Sequence, residues 1–134
     1  KMACSMLADH GIQPVFEMIN GTDMPRFLVQ NVAQAQEMLE AVQHPALKMQ
    51  YDCYHMAMMG EDVFEALKEN IDTIGHIQFA DCPGRHEPGT AIVNYVEIFQ
   101  WLENSQYQGY VAAEYRPLNH SAASFGWKTR YFAD

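Results

Sequence analysis

The sequence predicts an α/β protein in which helices cover a parallel sheet. Short apolar, strand-like runs alternate with amphipathic helical stretches along the chain, and this alternation is typical of parallel sheets. Each strand–helix unit takes roughly 30 residues, a length shared by doubly wound folds and (β/α)8 barrels. A complete barrel needs about 250 residues, so four units in a chain of 134 residues correspond to about half of one.

The predicted elements begin with a helix over residues 1–11 that ends at Gly11, as helices often do. The predicted strands are residues 13–19, 47–52, 73–81 and 109–115. The later helices, in which apolar residues recur at helical spacing, are predicted over residues 31–43, 61–71 and 94–105. In the last of these we expect Val96, Phe99 and Trp101 or Leu102 to face inward. Residues 82–90 are predicted as a loop, and residues 116–134 as a loop with one helical turn at most.

Charge and composition narrow the function classes. The net charge of −9 disfavours nucleic acid or an anionic membrane as a partner, since both attract surfaces rich in lysine and arginine. No apolar run is long enough to span a bilayer. Three widely spaced cysteines form no CxxC pair, which favours a reducing, cytoplasmic location. The chain begins with Lys1 inside a helical pattern, so we expect it to be a fragment of something longer.

A polar residue closes each of the four predicted strands, namely Glu17, Asp52, Gln78 and Glu114. Parallel α/β proteins place their sites at the carboxyl ends of the strands. Carboxylate and amide oxygens suit Mg²⁺ or Mn²⁺, and a divalent cation would relieve the repulsion of three crowded carboxylates. Any one of these residues alone is best interpreted as an ordinary exposed strand end, but four in succession favour a metal site.

Two further side chains are candidates for substrate contact. His55 follows Asp52 by three residues, past the strand end, and the alternative interpretation is a loop histidine in water. Arg85 lies on the loop after the third strand, where it could clamp a carboxylate, and its alternative is a solvated surface arginine. On the same loop, Asp81, His86 and Glu87 are weaker candidates.

The sequence resembles the hydroxypyruvate isomerase family of the xylose-isomerase-like (β/α)8 superfamily. The resemblance is carried by four segments, which read FEMINGTDMP, LKMQYDCYHM, HIQFADCPGRHEPGT and YVAAEYRP. It implies that residues 1–134 are the C-terminal half of a single TIM barrel domain. Three positions depart from the family pattern: Met18 stands in place of a proline, residues 89–92 lack a family acid, and Arg116 stands where relatives often have lysine.

The resemblance also implies an activity. It assigns the metal to Glu17, Asp52, Gln78 and Glu114, proton transfer to the two glutamates, and substrate contacts to His55 and Arg85. The implied reaction interconverts hydroxypyruvate and tartronate semialdehyde through an enediolate. One alternative is an isomerase or epimerase of a 2-oxo-tetronate or ketose. Another is a half-barrel without catalysis that serves as a binding or interaction module. Because four strands leave open sheet edges, we expect the N-terminal half of the barrel or a second copy as a partner, besides a small 2-oxo acid or ketose substrate.

Overall fold

The computed structural model describes residues 1–132 and contains a four-stranded parallel sheet. The strands are β1 (Val15–Glu17), β2 (Lys48–Asp52), β3 (Ile74–Phe79) and β4 (Tyr110–Ala113), and they lie in the sheet in chain order. All three strand pairs are parallel, which confirms the α/β prediction. Four strands are half of the eight that close a barrel, and β1 and β4 are each paired on one side only.

Seven α-helices accompany these strands over residues 1–132. They are α1 (Met2–Ala8), α2 (Val32–Val42), α3 (Cys53–Met58), α4 (Val63–Asn70), α5 (Tyr95–Asn104), α6 (Ser121–Ser124) and α7 (Gly126–Tyr131). A 3₁₀ turn over Ile71–Thr73 joins α4 to β3. None of the helices in this described part of the chain has both the length and the apolar character needed to cross a membrane.

Three details of the predicted elements were wrong. Helix α3 was not expected, and it starts directly after β2 because the Asp52 side chain accepts a hydrogen bond from the Tyr54 N–H. The tail holds two short helices, α6 and α7. Val96 is 46% exposed, since the buried stripe of α5 follows Tyr95, Ile98 and Phe99 instead, a series at i, i+3 and i+4.

The main core lies between the sheet and the helices that cover its outer face. Alternate residues of β2 and β3 enter it, among them Tyr51, Ile77 and Phe79. The Phe79 ring packs edge-on against Phe99 of α5 and Trp127 of α7, with ring centroids 5.1 and 5.2 Å apart. The intervening strand residues therefore face the opposite side of the sheet, where the site lies.

The strand register staggers the four polar residues by even steps. Glu17 lies opposite Gln50, so Asp52 sits two residues further along its strand. Asp52 is level with Gln78, and Gln78 is level with Ala112, two residues before Glu114. Because successive side chains alternate between faces, a stagger of two keeps all four polar residues on the same side of the sheet.

Candidate active site

A cleft of about 460 Å³ opens at the carboxyl ends of the strands. Four of the predicted site residues line it, namely Glu17, His55, Arg85 and Glu114. Glu17 and Glu114 lie at the ends of β1 and β4, His55 lies in α3 after β2, and Arg85 lies on the loop after β3. The topology therefore brings together residues that are up to 97 positions apart in the chain.

Asp52 is fully buried and lies next to two residues that line the cleft, His55 and Arg85. One carboxylate oxygen accepts the Tyr54 N–H at 2.8 Å and caps helix α3. The other oxygen faces a guanidinium nitrogen of Arg85 at 3.3 Å. Burial raises the pKa of Asp52 to about 7, although the Tyr54 N–H and Arg85 oppose this shift. The neighbouring donors therefore do not offset the cost of burying this carboxylate, and a further positive charge beside it would be favourable.

Arg85 connects two of the predicted ligands. The same guanidinium nitrogen that faces Asp52 lies 2.5 Å from a carboxylate oxygen of Glu114. The guanidinium also lies over the Tyr54 ring, 5.1 Å from its centroid. Arg85 is therefore oriented toward the site, and the interpretation as a solvated surface arginine is wrong.

Glu17 is the last residue of β1 and is partly buried. Burial raises its pKa, and the negative charge of Glu114 raises it further, while a hydrogen bond with Gln50 and the charge of Arg85 oppose the rise. Glu114 is thus close enough to Glu17 to affect its ionisation, and both line the same cleft.

His55 is a buried residue of helix α3, with 2% of its surface exposed. The interpretation as a loop histidine in water is therefore wrong. Burial and the charge of Arg85 lower the pKa of His55 to about 4, so the ring is neutral at pH 7. Its Nε2 lies 3.8 Å from a carboxylate oxygen of Glu17 and 3.8 Å from one of Asp52.

Gln78 is set apart from the other predicted ligands. It is level with Asp52 in the sheet and on the same face. Its side-chain oxygen accepts a hydrogen bond from Gln50, and within residues 1–132 its side chain makes no direct hydrogen bond to Glu17, Asp52 or Glu114. An amide oxygen has two lone pairs, so one remains free to meet a ligand.

The donor set fits a divalent cation. Glu17, Asp52 and His55 each offer an atom within 4.8 Å of the others, a spacing that could hold a metal ion. Three carboxylates lie around the guanidinium of Arg85, and Arg116 also lines the cleft, so negative charge still exceeds positive charge when all three are ionised. Oxygen ligands are those that Mg²⁺ and Mn²⁺ prefer.

Three residues that the sequence did not indicate, Asn20, Asp23 and Tyr54, hold the site together. Asn20 is fully buried and hydrogen-bonds to His55. Asp23 accepts hydrogen bonds from Asn20 and from the Tyr54 hydroxyl. These contacts join β1, the loop after it and α3. They could not be predicted from the spacing or periodicity of the sequence.

Asp81, rated a weaker candidate, proves to organise the loop that carries Arg85. It is fully buried, and its two oxygens accept five backbone N–H groups at 2.8–3.0 Å, from Cys82, Gly89, Thr90, Ala91 and Val93. His86 and Glu87 bond to backbone groups of the tail at Arg116 and Leu118. These three side chains hold the loop in shape.

Comparison with known proteins places this arrangement in a family. The family model described as xylose isomerase-like TIM barrel matches residues 1–130. The chain is 38% identical to hydroxypyruvate isomerase of Escherichia coli K12 over 131 residues, which are 98% of this chain and 51% of that protein. It is 36% identical to 2-oxo-tetronate isomerase of Cupriavidus necator, covering 96% of this chain and 50% of the relative. The chain spans about half the length of the curated relatives it matches.

Solved structures show the same fold. A family 2 AP endonuclease from Brucella melitensis superposes with a TM-score of 0.90 at 31% identity, covering 96% of this chain and 50% of that one. A 3-keto-D-glucoside 4-epimerase from E. coli superposes with a TM-score of 0.79 at 25% identity, covering 94% and 49%. The predicted (β/α)8 barrel fold, of which this chain supplies four units, is thereby confirmed.

Proposed function

Since the chain belongs to the xylose isomerase-like TIM barrel family, we propose that it supplies half of an isomerase barrel together with the acid–base and metal-binding side chains. The observation that carries this proposal is the convergence of Glu17, Glu114 and Arg85 on one cleft next to the buried carboxylate of Asp52. The preferred reaction interconverts hydroxypyruvate and tartronate semialdehyde, as the name of the E. coli relative suggests.

A divalent cation, Mg²⁺ or Mn²⁺, would be held by Glu17, Asp52, Gln78 and Glu114. When bound, it would polarise the carbonyl of the substrate and stabilise negative charge that develops on oxygen. The support for this assignment is the excess of carboxylates in the cleft and the pKa of Asp52, which burial raises to about 7.

The two glutamates would move the protons. One carboxylate would remove a proton from the hydroxyl-bearing carbon C3, and the other would protonate the neighbouring carbon C2. The hydroxyl proton would pass from the oxygen on C3 to the oxygen on C2, so that the carbonyl and hydroxyl exchange places without a redox partner. The negative charge of Glu114 raises the pKa of Glu17, and this supports the pairing, since acid–base catalysts work best with pKa values tuned by their surroundings.

Arg85 and His55 would hold the substrate. A guanidinium suits the carboxylate of a 2-oxo acid because it can donate two parallel hydrogen bonds. Arg85 lines the cleft and is fixed by Asp52, Glu114 and the Tyr54 ring. The neutral His55 ring would contact a substrate oxygen.

A 2-oxo-tetronate isomerase is the second candidate function, favoured by the 36% identity to the C. necator relative. Both functions use the same glutamates, and the size of the pocket decides between them. We further propose that residues 1–134 form the C-terminal half of one barrel domain, with four more strands covering β1 and β4. The location we propose is the cytoplasm, because all three cysteines are free and buried.

The test is Glu114→Gln in the complete protein, assayed with hydroxypyruvate and with a panel of larger 2-oxo acids and ketoses. Loss of general acid–base catalysis should lower turnover by roughly 10²- to 10⁴-fold with an unchanged melting temperature. Glu103→Gln, on the exposed side of α5, is the matched control and should retain full activity. Normal turnover by Glu114→Gln would refute the mechanism, and activity on larger substrates alone would favour the second function.

A further inference from the structure

The hydrogen bonds around Asn20 determine which nitrogen of His55 carries the proton. Asn20 is fully buried at the end of the segment FEMIN. Its side-chain oxygen accepts two backbone N–H groups, from Thr22 at 3.0 Å and Asp23 at 2.8 Å. Because both of these partners are donors, the amide cannot be turned over without losing both bonds, and its NH₂ group must point the other way.

The NH₂ group of Asn20 points at two acceptors. One is a carboxylate oxygen of Asp23 at 3.0 Å. Hydrogen bonds from Asn20 and from the Tyr54 hydroxyl lower the pKa of Asp23, so it is ionised and can only accept. The other is Nδ1 of His55 at 2.6 Å, which the backbone N–H of Asn20 also approaches at 3.4 Å.

A ring nitrogen that receives N–H donors is the unprotonated one. In a neutral imidazole the other nitrogen then carries the hydrogen, and in His55 that nitrogen is Nε2. Nε2 lies 3.8 Å from both Glu17 and Asp52, on the side of the cleft. A protonated Nε2 can donate to an oxygen in the cleft but has no lone pair for a metal ion.

We propose that Asn20 is a positioning residue that fixes His55 as the Nε2–H tautomer and so makes it a hydrogen-bond donor to substrate instead of a metal ligand. The role toward substrate rests on the proposed function, whereas the tautomer rests on the contacts alone. Glu17, Asp52 and His55 are close enough to share a metal ion, but with Nε2 protonated His55 would not be a ligand. Glu17 and Asp52 would then bind the metal without it.

The tautomer can be read directly by NMR of the complete protein labelled with ¹⁵N-histidine, in which correlations from the ring carbons distinguish protonated from unprotonated nitrogens. The His55 signals are assigned by their loss in His55→Asn. We expect wild-type protein at pH 7.5 to show a protonated Nε2 and an unprotonated Nδ1. The opposite pattern would overturn the proposal without any variant of Asn20.

Asn20→Asp should reverse the pattern, because the new carboxylate oxygen facing Nδ1 can only accept. Because Asn20 contacts Asp23, Asn20→Asp also places two carboxylates next to each other. The double variant Asn20→Asp/Asp23→Asn avoids this repulsion and is made in parallel. In whichever of these retains the wild-type circular dichroism, Nδ1 should become protonated. An unchanged tautomer there would overturn the proposal.

The matched control is Asn31→Asp, which adds the same charge at the N-cap of α2, where an oxygen accepts the Gln34 N–H. It should leave the His55 spectrum and the activity unchanged. Loss of the Nε2 donor should lower turnover of the double variant roughly ten- to a hundredfold. A wild-type protein with the expected tautomer but no isomerase activity would support this inference and refute the proposed function.

Discussion

Two aspartates at the ends of neighbouring strands, Asp52 and Asp81, are both fully buried but have opposite surroundings. Asp81 accepts five backbone N–H groups from its own loop. Asp52 accepts one backbone N–H and faces one guanidinium. A buried carboxylate surrounded by fixed backbone donors is already satisfied and serves the fold. One that relies on a single side-chain cation retains the capacity to bind another, which is the property of a site.

Of the variants that test this contrast, Asp81→Asn should have the largest effect, which is a loss of stability. An amide group supplies one acceptor oxygen and replaces the other with a donor that faces backbone N–H groups, leaving at least two buried donors without partners. We expect a loss of about 3 kcal/mol or more in the free energy of unfolding, measured by urea denaturation. Asp9→Asn, at an exposed position after α1, is the control and should change it by less than about 0.5 kcal/mol.

Asp52→Asn should have a small effect on stability and a large effect on metal binding. The asparagine retains the oxygen that caps α3 and removes a carboxylate that burial disfavours. Arg85 loses its contact with Asp52 but keeps Glu114 as a partner, so stability should change by no more than about 1 kcal/mol. Affinity for Mn²⁺ should fall at least about 100-fold, because a charged ligand is lost. Calorimetric titration with Mn²⁺ measures the second effect.

The control for Asp52→Asn is Asp62→Asn, because Asp62 caps α4 in the same way, through the Glu65 N–H. It should bind Mn²⁺ like the wild type. If both variants bound Mn²⁺ normally, the distinction drawn between the two buried aspartates would be incorrect.

A smaller effect concerns pH. Burial raises the pKa of Asp52 from its ordinary value of 3.8 to about 7, so the carboxyl is protonated below that pH and must lose its proton before it binds a metal. Mn²⁺ should therefore bind roughly tenfold more weakly at pH 6 than at pH 8, with close to one proton released at pH 6. Between pH 3.8 and 7 the folded state holds more protons than the unfolded state, so this group's contribution to stability decreases as pH rises.

Titrations of Mn²⁺ in two buffers of different ionisation enthalpy measure the released proton. Equal affinity at pH 6 and pH 8 would show that Asp52 is ionised throughout this range. The surroundings of Asp52 would then resemble those of Asp81 more closely than the structure indicates.

The sequence was sufficient for the framework because periodicity is local. Alternating strand and helix patterns predicted the four parallel strands, and of the four polar strand ends Glu17 and Glu114 line the cleft, whereas Asp52 and Gln78 do not. Helix α3 escaped prediction because its residues, CYHMAM, are mostly apolar and follow β2 without a turn signal. The contacts of Asn20 with His55 and of Asp81 with its loop depend on three-dimensional proximity, for which sequence spacing holds no information.

The even stagger of the strands restricts how the chain can change in length. Deleting one residue from β2 or β4 would move Asp52 or Glu114 to the helix-covered face and bring an apolar side chain to the cleft. Deleting two would keep the face and shift the carboxylate by about 6.6 Å along the strand. Insertions and deletions within these strands should therefore survive only in pairs of residues.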